Sequence, residues 1–531
     1  MEKRLIIAIA LSIFIILAFQ TLAPKPPSPP TATVVTNEAA PLQAPAGGAS
    51  LSTASPSAIS AQEIEYEVEA GKYIITFSNI GGAIKGIRLK EYKDSGTGEP
   101  LHVVNIQNPR EYIFSMSGIG AEGLDTSAYA LDKSDGAIIY SLKTKGLEIT
   151  KKYILHNSKY GIALQLSIKN TAASQNDIYY KLIGGAGMSE KSAQDKRFLE
   201  VTANINGKAV GFKRPKDKRI TNPGIATWAA LKNKYFSVIL KPLTATRSQF
   251  YSEDTGGNLV MGLDIDNAGI QPNAVVVNKF VLYVGPSHIP VLKEFGYDLE
   301  ETVNYGFFGG ISKIMIVVMQ FFYSLVRSWG FAIILLSVFL NMLTFPLTMK
   351  SMKSMQKMQE LHPQMEKLKK LHKDNPQKLN KEIMELYKTY GINPFSGCLP
   401  IILQMPIFIA LYAALMRSIE LRNASFLWIR DLSSPDAVSL PMTLPMIGNS
   451  INILPLFMVV AMVIQQKMST KSMGGAVTPE QKEQQKIMLI VMPVVFGFVF
   501  YSMPSGLVLY WLVNTVLTIV EQKFMLKKTE A

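Results

Sequence analysis

Apolar residues are distributed along this sequence in a way that leaves few possible folds. After residue 330 there are five apolar runs, Phe331–Met349, Leu399–Met416, Ile451–Ile464, Ile487–Met503 and Leu507–Phe524, and a sixth, Leu5–Phe19, lies at the N-terminus. Runs near 18 residues are about what a helix needs to cross a bilayer, where every backbone polar group must be satisfied within the segment. Ile451–Ile464 is short for a span unless it begins near Met446. Between the first and second runs the pattern is short and alternating, so the chain reads as a membrane protein carrying a water-soluble insert.

Lys3 and Arg4 precede the first run, a layout shared by secretory signals and retained anchors. The best cleavage site ends at Ala23, where Pro24 would follow the scissile bond and block it. Residues 1–22 are therefore read as a retained anchor with a cytoplasmic N-terminus, a cleaved signal being the alternative. Residues 23–60, rich in Pro, Ala, Ser and Thr, have too little apolar surface to offset their ordering entropy and read as a flexible linker.

Residues 61–298 contain runs such as Tyr73–Phe77, Ala163–Ile168 and Ala274–Val277, separated by turn-forming clusters such as Asn79–Gly82 and Asp264–Asn267. Many short strands with frequent turns predict an all-β, extended sandwich. Its histidines, His102, His156 and His288, form no ligand motif; ordinary surface or core positions are favoured over a sugar-processing site. The basic run Lys213–Arg219 is a solvated loop or, alternatively, a contact for lipid headgroups or a partner. The single cysteine, Cys398, excludes an internal disulfide and any cysteine-based zinc site. Neither a metal nor another cofactor is expected.

Residues 299–327 read as a connector followed by an amphipathic helix along the membrane surface, because Lys313 and Gln320 are a heptad apart. An additional span is the alternative. Spans are then expected at 328–349, 396–418, 446–466, 487–503 and 507–525, with a cytoplasmic tail at 526–531. Loop charge supports this topology. Segment 350–393 holds ten lysines against five acidic residues, Lys467, Lys471, Lys482 and Lys486 lie in loop 467–486, and Lys523, Lys527 and Lys528 sit near the C-terminus. The loop at 420–445 has only Arg422 and Arg430, against Glu420, Asp431 and Asp436. This is the positive-inside asymmetry, and it places both termini in the cytoplasm. The formal net charge of +14 is assigned to membrane loops, not to direct nucleic-acid readout.

Segment 350–393 is itself patterned. Met352, Met355, Met358, Met365, Leu368 and Leu371 recur at helical spacing, Asn375-Pro376 stops one helix and starts another, and Gly391 follows the second. A basic, Met-rich helical hairpin is expected. Its apolar faces either zip together or offer a partner-docking surface built on Met355, Met358, Met365, Lys369 and Lys370.

Six segments carry a specific resemblance. They are Phe345–Thr348, Asn393–Pro400, Gln404–Phe408, Phe426–Leu432, Gln484–Met488 with Met492-Pro493, and Pro504–Trp511. In this order and spacing, over about 200 residues, they resemble the YidC/Oxa1/Alb3 family of membrane protein insertases. Anchor, linker and β region extend the resemblance to the Gram-negative form, whose periplasmic domain is a β-supersandwich. The resemblance implies a fold of five core transmembrane helices plus an N-terminal anchor, with the β domain inserted. It implies insertion and folding of inner-membrane proteins, alone or beside the Sec translocon, through a polar groove open to cytoplasm and lipid. It also implies nascent membrane proteins and membrane lipids as partners, with the ribosome and the signal-recognition-particle receptor as further candidates. No GxxxxGK[ST] motif occurs, in keeping with a process driven by binding and not by nucleotide hydrolysis.

Ser337, Asn341, Thr344, Gln404, Tyr510, Trp511, Asn514 and Thr515 are the candidate groove residues. Interhelical hydrogen-bond glue is the other reading for the polar ones, and an aromatic belt for Tyr510 and Trp511. Asn341 stands where the family usually has an arginine, so the groove would lack a fixed positive charge. Two other classes compete. A transporter is disfavoured by the lack of paired acidic residues within the spans; a membrane-anchored sugar-binding module would require the β region for function.

Overall fold

A computed structural model describes residues 62–530 except 95–96, 135, 145, 157–159, 189–196, 216–218, 245–246, 374, 393–398, 445–447 and 473–478. The expected anchor and linker, and most of the Asn393–Pro400 segment, lie outside the described residues. The chain divides into two compact units at Asn304/Tyr305.

The first unit is built from antiparallel strands. Four consecutive strands between Glu65 and Asn105 form one sheet, and a second sheet contains thirteen strands. Alternation is the organising signal: Leu147–Leu155 and Gly161–Asn170 bury every second residue and pair in register, Ile149 opposite Ile168. The core between the sheets is rich in fully buried tyrosines, including Tyr73, Tyr140, Tyr153 and Tyr283. Their hydroxyls stitch the layers where a partner is in reach. Tyr73 OH donates to Val284 O at 2.9 Å and Tyr153 OH to Gly82 O at 2.6 Å. Gly82 has φ +52°, and a Cβ there would lie 2.9 Å from that of Tyr140, so the turn needs glycine twice over. Lys151 is wholly buried and donates to Gly81 O at 2.6 Å and Phe114 O at 2.7 Å. Burial holds its ammonium pKa down at about 7, with Asp125 opposing weakly.

Asp264–Asn267, expected to be a turn, lies inside the strand Asn258–Ile270. Non-local partners outweigh its poor strand propensity: Asp264 forms an ion pair with Arg219 and faces Gln249 and Lys181 across the sheet. The arginines of the basic run are likewise engaged, Arg214 with Asp254 at 2.6 Å and Arg219 with Asp264. After the short helix α1 (Ile289–Phe295), the connector packs as part of this unit, Lys232 Nζ donating to Thr302 O at 2.5 Å.

The second unit is helical. Its elements are α2 (Gly309–Val326), α3 (Trp329–Glu360), α4 (His362–Leu371), α5 (Pro376–Thr389), α6 (Leu399–Arg417), α7 (Ile453–Ser472), α8 (Pro479–Tyr501) and α9 (Ser505–Glu530). Helix α2 buries Ser312, Met315 and Met319 and exposes Ile314, Val317, Phe321 and Leu325 on the other side; it is long and apolar enough to cross a membrane. Helix α3 does not stop at Met349 but runs on to Glu360, so the basic hairpin begins inside it. No helix breaker occurs until Leu361-His362-Pro363, and Pro363 is tolerated in the first turn of α4. The segment expected to open the fourth span forms a hairpin, Val438–Leu444 with Gly448–Ile451, and α7 begins only at Ile453.

Candidate functional site

The helical core gathers α2, α3, α6, α7, α8 and α9 around Ile333, Leu336, Leu411, Met458, Leu507 and Val508. Small residues set some of the approaches. A Cβ on Gly330 would fall 2.1 Å from the Phe426 ring, so only glycine admits that ring against the first turn of α3.

Within this apolar unit the candidate polar residues fall into two groups. Two pairs join different helices: Gln404 Nε2 of α6 donates to Tyr510 OH of α9 at 3.0 Å, and Asn341 Nδ2 of α3 lies 3.5 Å from Asn514 Oδ1 of α9. Tyr510 and Asn514 are one turn apart, so both pairs lie on one side of α9. The others turn back onto their own helices. Ser337 Oγ donates to Ile333 O at 2.8 Å, Thr344 Oγ1 to Leu340 O at 3.0 Å and Thr515 Oγ1 to Trp511 O at 2.8 Å. Trp511 joins an aromatic cluster with Phe408, Phe496 and Phe500, at centroid distances of 5.1, 5.6 and 5.2 Å. The unit thus places a short neutral polar track among three helices, whose members both donate and accept hydrogen bonds.

In the basic hairpin, Leu361, Tyr387 and Ile392 form a small core covered by Met358, Met365, Ile383 and Leu386. Tyr387 OH donates to Met365 Sδ at 3.4 Å. Met358 and Met365 therefore pack inside the hairpin, while Lys369 and Lys370 are exposed in the last turn of α4, where they complement the helix dipole. The Met355 side chain lies outside the described residues. His372 and Glu382 pair across the hairpin at 3.0 Å.

Sequence reasoning missed the polar residues at the opposite end of the helices. Gln320 Nε2 of α2 donates to Glu420 Oε1 at 3.2 Å. Tyr305 is close enough for the Glu420 charge to act with burial in raising its hydroxyl to about 12. Asp436 accepts from Trp428 Nε1 and from the first two N–H groups of α7. The acidic character of this loop was visible; its partners, on other segments, were not.

Comparison with known proteins locates two family matches. Residues 65–318 match the family described as the YidC periplasmic domain, and residues 321–531 the family described as 60Kd inner membrane protein. Full-length relatives include the membrane protein insertase YidC of Geobacter metallireducens, 32% identical over 100% of this chain and 99% of that one. The protein of the same description from Pelobacter propionicus is 33% identical over 99% of each chain. Among solved structures, an active YidC insertase with its first transmembrane domain resolved is 18% identical. It covers 86% of this chain and 94% of its own, with a TM-score of 0.37.

Proposed function

The chain belongs to the YidC family of membrane protein insertases, and from that premise we propose how its own residues handle a substrate. It is an inner-membrane transport protein with a periplasmic β domain; its substrates are membrane proteins, and it is not an enzyme. The single observation that carries our reading is the neutral polar track of Gln404–Tyr510 and Asn341–Asn514 beside the apolar core of the helical unit.

The β domain fixes the outside. Gln320, on the first long helix after that domain, bonds Glu420, so the loop that begins at Ile419 is assigned to the periplasmic face and the basic hairpin to the cytoplasm. Helix α2, with one apolar stripe exposed and one packed, lies along the outer membrane surface.

An arriving polar segment carries backbone and side-chain groups that cost several kcal/mol each if left unsatisfied in hydrocarbon. The two amide-bearing pairs exchange their mutual hydrogen bonds for bonds to that segment, a near-neutral swap. The substrate's apolar helix meanwhile leaves past the exposed apolar faces of α6 (Ile402, Met405) and α8 (Ile490, Val494, Phe498) into lipid. Burial at about 25 cal/mol per Å² supplies the drive. Because Asn341 is uncharged, capture relies on hydrogen bonding and tolerates tails of either sign. Lys369 and Lys370 are assigned to docking of partners such as the ribosome or the signal-recognition-particle receptor, and the Sec translocon to cooperation at the lipid-facing side.

Complementation in cells depleted of their own insertase tests this reading, scored by protease protection of a small Sec-independent substrate with an acidic N-terminal tail. Wild type and Asn341→Arg are expected to insert it. Asn341→Leu, which leaves Asn514 without its partner, should insert it about tenfold less, matching a loss of roughly 1.4 kcal/mol. Insertion by Asn341→Leu at the wild-type level would remove the track from the mechanism. Rescue by Asn341→Arg alone would mean that acidic tails need a fixed charge.

A further inference from the structure

We propose that Asp436 is a positioning residue, a latch that holds the periplasmic end of the groove shut. Its carboxylate is buried, 5% exposed. One oxygen, Oδ2, accepts from Trp428 Nε1 at 3.2 Å, Ile453 N at 2.8 Å and Leu454 N at 2.9 Å. Ile453 and Leu454 are the first residues of α7, so a residue 17 positions away in the chain caps this helix in place of a local one. The start of α7 favours a negative charge by its dipole and its unpaired N–H groups.

The neighbouring residues turn this cap into a clasp. Ala437 N donates to Asn452 Oδ1 at 2.9 Å, and Asn452 Nδ2 donates to Tyr501 O, at the end of α8, at 2.6 Å. Ala437 itself has φ +35°, a left-handed conformation that alanine rarely adopts unless its surroundings impose it. Here hydrogen bonds on both sides do so. The same loop reaches α9: Ser505 N donates to Ser434 O at 2.8 Å and Gly506 N to Leu432 O at 2.9 Å. The Phe426–Ala437 loop is thereby tied to the outer ends of α7, α8 and α9, and α9 carries Tyr510 and Asn514. Asp436 is the member of the clasp that serves three donors at once. Removing it takes the acceptor from the indole and leaves the buried N–H of Leu454 at the start of α7 unsatisfied, and the loop is released.

This inference rests on the groove reading, and one experiment separates the two. In the full-length protein with Cys398→Ser, a reporter Asn514→Cys is labelled with a membrane-impermeant thiol reagent from either face. Labelling from the cytoplasmic face reports the groove; its absence in every variant would sink the groove reading and the latch with it. With cytoplasmic-face labelling present, Asp436→Ala should raise the periplasmic-face rate about tenfold, as loss of a cap worth roughly 1.4 kcal/mol would. Asp436→Asn, which keeps an acceptor of the same size, should stay within about threefold of the parent. A general loss of packing would raise both rates together, whereas release of the latch raises only the periplasmic one. Should Asp436→Ala fail to accumulate, Asp436→Leu, which keeps the volume without an acceptor, takes its place with the same expectation. A periplasmic-face rate within about twofold of the parent, or a parallel rise on both faces, overturns the proposal.

Discussion

In the β unit, Phe77 and Phe250 are fully buried, and the buried ammonium groups of Lys151 and Lys232 rest on backbone carbonyls. In the helical unit, Phe498 is 80% exposed, Val494 and Ile490 are exposed beside it, and Ser337, Ser418 and Thr515 hide their hydroxyls on carbonyls of their own helices. The same residue types thus take opposite positions in one chain. A unit that satisfies its polar groups locally and turns large apolar side chains outward has lipid for solvent, whereas one that packs its aromatics inward between charged faces is built for water. The difference also locates function. The β unit leaves buried polar atoms such as Tyr140 OH, Trp228 Nε1 and Tyr251 OH without a hydrogen-bond partner inside a rigid core, whereas the helical unit sets polar pairs between its helices, where a passing segment could exchange bonds with them.

The comparison breaks if equivalent truncations behave alike in the two units. Phe77→Ala empties a fully buried site and should cost about 3–5 kcal/mol, read as early loss of protease resistance in the β unit of the full-length protein. Phe498→Ala, at a lipid-facing position, should leave protease resistance and insertion activity within about twofold of wild type, because lipid fills the space. Comparable losses at both positions would mean that α8 packs against protein on that face.

Charge sharpens the contrast. Val494→Arg places a guanidinium on the exposed face near the middle of α8, at a cost of roughly 2.5–3.5 kcal/mol in hydrocarbon. The expected result is a marked fall in membrane-integrated protein, measured by alkaline extraction. Ile119→Arg in the β unit starts from a similarly exposed side chain and should shift stability by less than about 0.5 kcal/mol. A neutral Val494→Arg would assign that face to water.

Much of this contrast was legible in the sequence because it is written in periodicity. Period-two runs gave the strands around Ile75 and Leu164, and apolar runs near 18 residues gave the helices. What escaped depends on partners distant in the chain. Asp264 sits in a strand because Arg219 meets it, and Asp436 caps α7 from 17 residues away. The Val438–Ile451 hairpin was hidden because its apolar residues resemble the start of a span. Helix α3 outran its expected end because nothing between Lys350 and Glu360 breaks a helix. At the candidate site, Asn341 and Asn514 could each be nominated from polarity within a span. Their approach across 173 positions could not be read from the sequence, whereas the packing of Met358 and Met365 inside the hairpin was one of the two readings left open there.

The smallest expected effect distinguishes the units by pH. Lys151 has a folded-state pKa of about 7, lowered by complete burial, against about 10.4 when unfolded. Between these values the unfolded chain binds more protons than the folded one, so β-unit stability should rise with pH through this window, and the Lys151 contribution is constant below it. The slope is at most about 1.4 kcal/mol per pH unit, and the useful range ends near pH 9.5, where unfolded tyrosines begin to ionise. Thermal unfolding of the β unit in the full-length protein between pH 6 and 9 measures it. Lys151→Met should remove most of the slope whatever it does to the midpoint, since Gly81 O and Phe114 O lose their donor at every pH alike; the smaller remainder belongs to Lys241 and His102, whose pKa values burial also lowers. A slope unchanged in Lys151→Met would place the titrating group elsewhere. An equal slope in the helical unit would break the distinction between a unit that buries ammonium groups and one whose described residues bury none.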